Sequence, residues 1–108
     1  MEVNIDELIN QMLAAIKLSV KEDWQMISGT AQSFLQRKKD RLKLLTSLRL
    51  SNQVSHEFFI TRLQDEQHLL ESEILSLEIV SKVAVQNAAN AAFLVVTKTV
   101  SKLIDHII

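Results

Sequence analysis

Proline is absent from this chain and glycine occurs once, at Gly29, where average usage over the same length would supply about five and about seven. With so few breakers, a helix can run for tens of residues. Cysteine is absent as well, which excludes a disulfide framework and thiolate chemistry and leaves the redox compartment open. A formal net charge of −1 removes any global attraction to nucleic acid or anionic lipid. The segment Met1-Glu2-Val3-Asn4-Ile5-Asp6-Glu7 is acidic where a secretory signal is basic, so a cytoplasmic location is the default and signal-independent export stays open. No nucleophile–base–orienter set, glycine-rich phosphate loop or metal cluster of recognisable spacing is present. The expectation is a protein that is not an enzyme and takes no cofactor.

What the chain does contain is apolar periodicity. Hydrophobic residues make up 47% of the 108 and charged residues 23%, a globular balance within one domain. Apolar positions fall at Ile9, Leu13, Ile16, Val20, Trp24, Ile27, Ala31, Phe34, Leu42, Leu45 and Leu48. They resume through Phe59, Leu63, Leu70, Ile74, Leu77, Ala84, Ala88, Ala91, Val95, Leu103 and Ile107. Steps of three and four mark helices with one buried face. Between the two stripes, Leu50-Ser51-Asn52-Gln53-Val54-Ser55 carries residues whose side chains cap a helix start. The pattern predicts an all-α hairpin: a helix over about 4–50, a turn at about 50–54 and a helix over about 54–106, each about 70 Å long. A single glycine costs about 1 kcal/mol in a helix, so the first helix is expected to continue through Gly29.

Charge supports the same hairpin independently. Residues 37–49 carry Arg37, Lys38, Lys39, Arg41, Lys43 and Arg49 against Asp40, for a net +5; residues 57–78 carry Glu57, Asp65, Glu66, Glu71, Glu73 and Glu78 against Arg62, for a net −5. Folding about position 52 brings together positions whose numbers add to about 104. Arg37, Lys38 and Lys39 then sit level with Asp65, Glu66 and Gln67, Glu22 and Asp23 with Lys82, Asp6 and Glu7 with Lys98, and Ala14 and Ala15 with Ala88, Ala89, Ala91 and Ala92. Such exposed pairs select orientation more than they stabilise.

Two helices cannot hide this much apolar surface. Beside the main stripes lie Leu8, Met12, Met26, Leu35 and Leu44 on the first helix, and Leu69, Ile79, Val80, Val83, Val96 and Val100 on the second. A lone hairpin would expose more than monomers tolerate. A second hairpin remedies this, and the expected assembly is a homodimeric antiparallel four-helix bundle. Its seam is assigned to Ile16, Trp24, Phe34, Leu45, Leu63, Leu70, Ile74, Leu77, Ala84, Ala88, Ala91 and Val95.

Four features of the sequence bear on chemistry. Asp65 and His68 stand at i and i+3, the spacing carboxylate bundles use for metals; the facing residues are cations, so a solvated acidic face with surface ion pairs is the expectation. The basic run from Arg37 to Lys43 has no aromatic interleaving and faces an acidic stretch, which favours an intramolecular charge match over nucleic acid. Residues 83–97 hold no charge but fall short of the ~20 needed to span a bilayer. Trp24 is expected in the core, and His56 and His106 near solvent. The function read from the sequence is therefore a structural or interaction protein: an adaptor, chaperone-like or assembly component. The alternatives are an exported or membrane-active hairpin that inserts residues 79–108 and, more weakly, a metal-binding carboxylate bundle. The expected partners are a second copy and another protein, with no nucleic acid.

Overall fold

A computed structural model describes residues 2–107, the side chains of 106 and 107 excepted, and every regular element among them is helical. The helices are α1 (Ile5–Val20), α2 (Trp24–Arg37), α3 (Lys39–Leu50), α4 (His56–Leu75) and α5 (Lys82–Ile107), with a single 3-10 turn at Lys21–Asp23. The all-α expectation holds, and so does the central turn: α3 stops at Leu50 and Ser55 caps α4, its hydroxyl accepting from the Phe58 N–H at 3.1 Å. Asn52 sits in the turn at φ 60, a left-handed conformation that its short polar side chain tolerates. Gly29 lies inside α2, which runs through it as expected.

The two 70 Å helices are not present. The first ends at Val20 and restarts at Trp24; the second ends at Leu75 and restarts at Lys82. At the first bend Lys21 adopts φ 54, and at the second Glu78 adopts φ 56. Local signals accompany both restarts. Glu22 and Asp23 supply negative charge where the α2 dipole is positive, and Ser81 Oγ accepts the Ala84 N–H at 3.1 Å to cap α5. A third, milder interruption at Lys38 divides α2 from α3, with Lys38 N–H still bonded to the Phe34 carbonyl at 3.0 Å.

The hairpin is bent back on itself at these points. α1 makes its broadest contact with α5; α4 packs on α5, α2 and α3. The result measures 43 × 21 × 21 Å. The expected register holds near the turn for Lys38 with Glu66, whereas Arg37 reaches Glu73 and Lys39 reaches Asp6; at the far end Val3 and Leu8 line one depression with Thr99 and Leu103. Of the eleven surplus side chains that called for a second hairpin, Leu8, Met12, Leu35, Val96 and Val100 are buried within the chain and Val80 is half-buried, while Met26, Leu44, Leu69, Ile79 and Val83 are exposed. Ala88, Ala89 and Ala92 are buried on α5, and small side chains there allow a close approach by α1.

Candidate docking surface

Among the described residues, no helix is long and apolar enough to cross a membrane, and no group of three or more His, Cys, Asp or Glu stands where it could hold a metal ion. Within 79–100, Val85, Ala88, Ala89, Ala92, Phe93, Val96 and Val100 are buried in the bundle. His68 and Asp65 are exposed, as is His56, whereas His106 lies outside the residues whose side chains are described.

Of the seam residues named from the sequence, Ile16, Phe34, Leu45, Leu63, Leu70, Ile74 and Ala88 are buried in the bundle, and Trp24, Leu77, Ala84, Ala91 and Val95 are half-buried against it. Trp24 is thus at the edge of the core rather than inside it. Of the phenylalanines, Phe34 and Phe59 are buried, while Phe58 is 42% exposed.

The basic run is largely paired within the chain. Arg37 Nη2 donates to both oxygens of Glu73, at 2.8 and 2.5 Å, and Lys38 Nζ lies 3.3 Å from Glu66 Oε2. Arg41 Nη1 donates to Glu66 Oε1 at 2.9 Å. The outer pairings depart from the hairpin register: Asp6 meets Lys39 at 2.6 Å rather than Lys98, because the bend at Lys21 lays α1 back along α2 and α3. That contact holds the Lys39 ammonium above the usual lysine range, chiefly through the hydrogen bond to Asp6 and then its charge. Lys38 behaves as a long side chain in a core stripe should. Its stem is largely covered, and its ammonium lies 5.8 Å from the Phe34 ring centre.

Glu66 corrects the expectation of a solvated acidic face. It is 3% exposed and sits between two cations, at the floor of a depression of about 340 Å³ between α3 and α4. Leu44, Leu45, Leu48 and Phe58 form its apolar walls, and Arg41, Arg62 and Asp65 stand around them. Leu44 is 59% exposed. Arg62 lies over the Phe58 ring, 5.1 Å from its centre, and reaches Asp65 at 3.5 Å. Aromatic and arginine side chains are enriched where proteins meet. The apolar periodicity puts Leu44 on a secondary stripe and does not single out Phe58.

A second depression, of about 140 Å³, is lined by Arg49, His56, Phe59, Ile60, Thr97, Val100, Ser101 and Ile104. Arg49 reaches out of it to Asn52 Oδ1 at 3.4 Å and the Val54 carbonyl at 3.5 Å, tying the cation to the turn after α3. A third groove, between α4 and α5, is bridged by a hydrogen bond from Gln67 to Asn90. Neither presents a reactive pair. Comparison with protein-family models, with curated proteins and with solved structures found no match for this chain.

Proposed function

We propose that this chain is a non-enzymatic interaction protein, an adaptor, chaperone-like or assembly component, that works as a homodimer of helical bundles. The observation that carries the reading is the α3/α4 depression. Leu44, 59% exposed, and Phe58, 42% exposed, line that one depression together. Charges of both signs surround them, already paired as Arg41 with Glu66 and Arg62 with Asp65. A partner that inserts apolar side chains there gains hydrophobic area without stranding a buried charge. Helices hold the walls in place, so little ordering cost opposes binding.

The test is paired. A Leu44→Ser, Phe58→Ser double variant should keep its helical circular dichroism and lose the proteins that the wild-type chain captures; equal capture by both would sink the assignment of this surface. Sedimentation equilibrium tests self-association, and a mass of 12.3 kDa at every concentration would sink the homodimer.

A further inference from the structure

We infer that the homodimer forms by exchange: the bends at Lys21–Asp23 and at 76–81 straighten together, and the α1/α5 half of each hairpin packs on the α2–α4 half of a second copy. This rests on the homodimer reading above and specifies which surfaces make it.

Neither bend is built from a residue that requires one. Lys21 and Glu78 hold left-handed φ values of 54 and 56, a conformation that a side chain with a Cβ resists, and no proline or glycine lies in 20–24 or 75–82. Straightening either bend relieves that strain. The apolar stripe also stays in phase across both, through Ile16, Val20, Trp24 and Ile27 at the first and through Ile74, Leu77, Ala84 and Ala88 at the second. A helix continued through either bend therefore keeps the same face buried.

The pairings inside each half do not depend on the bends. Lys38 with Glu66 belongs to the inner half, and Val3 and Leu8 beside Thr99 and Leu103 to the outer half. Both follow the register of one continuous hairpin. Because α1 and α5 run antiparallel in contact, the end of α1 lies near the start of α5, and the two bends sit close enough to move as one hinge. Opening costs only the contacts between halves, α1 on α2 and α3 and α5 on α3 and α4. A second opened copy, related by a two-fold axis through the hinge, restores each of those contacts in identical form. An opened single chain would leave the core faces of both halves in water. The closed monomer and the exchanged dimer are thus the two arrangements that bury the stripe.

The chain has no cysteine, so Asp6→Cys with Lys39→Cys introduces the only two thiols, at an ion pair that joins α1 of the outer half to α3 of the inner half. Protein refolded at high concentration is separated by size into monomer and dimer, and each fraction is treated with a short bismaleimide. The exchanged dimer becomes covalently dimeric on a denaturing gel, whereas the monomer fraction is joined within the chain. A dimer fraction joined only within chains overturns exchange and leaves the homodimer standing; absence of dimer at any concentration overturns both. A second variant on the cysteine-free chain, Lys21→Gly with Glu78→Gly, relaxes the bends. Each substitution favours the closed form by about fivefold, so over two bends in two chains the dimer weakens by about six-hundredfold. An unchanged monomer–dimer ratio in that variant overturns the hinge.

Discussion

Replacing Glu66 with glutamine keeps the shape of the side chain under the α3/α4 depression and removes its charge. In the native protein Arg41 Nη1 lies 2.9 Å from Oε1 and Lys38 Nζ lies 3.3 Å from Oε2. The amide oxygen still accepts from Arg41, but as a neutral acceptor worth about 1 kcal/mol rather than about 2. The amide nitrogen then faces an ammonium, donor against donor, and the ionic contact with Lys38 is lost. Two effects work the other way. A neutral amide costs less to bury than a carboxylate, and the Arg41 side chain, 62% exposed, can turn to water. The net expectation is a loss of about 1–2 kcal/mol, a fall in Tm of about 5–15 °C for a domain of this size. Urea denaturation followed by circular dichroism measures it, and a cycle with Lys38→Met should return a coupling of about 0.5–1 kcal/mol. Because the carboxylate is buried, high salt should leave most of the loss in place. Stability within about 0.3 kcal/mol of wild type would refute the ion-pair account.

Two further outcomes follow from the same contacts. Gly29 is exposed and helical, and a Cβ built there meets nothing within 4 Å, so Gly29→Ala should raise stability by about 0.5–1 kcal/mol in thermal denaturation; a loss would mean the helix needs flexibility at that point. Asp6 raises the Lys39 pKa on folding, so its contribution is complete below the unfolded lysine value, about 10.4, and fades as pH rises through the folded value. Denaturation midpoints measured across alkaline pH should show that component in the wild type and lack it in Asp6→Asn; identical profiles would refute the assignment.

The central turn was legible because its chemistry is local: Ser51, Asn52 and Ser55 announce a break between two stripes. The inner register was legible because Lys38 and Glu66 lie only a few turns from it. The bends were not. A stripe in steps of three and four uses the same face whether the helix runs straight or folds back, so the periodicity through Val20 and Trp24 says nothing about Lys21. What decides is how much apolar surface the whole chain must cover, and folding back covers part of it within one molecule at the expense of two strained residues. Ser81 was a local sign of the second restart, but serine is also common in mid-helix. Adjacent residues explain the remaining misses. Asp65 and Glu66, like Phe58 and Phe59, lie about 100° apart around a helix, so one of each pair turns inward. A run of like residues conceals which one.

The pairing of α1 with α5 also fixes the order in which the chain can be completed during its synthesis. α1 is made before α5, so the residues of α5 that it packs against, through Val100, are joined long after it. At typical elongation rates the roughly 80 residues between Val20 and Val100 take about 4–16 s to add. Throughout that interval the α5-facing side of α1 is a hydrophobic stripe without its partner, while α3 and α4 can already close on one another across their short turn.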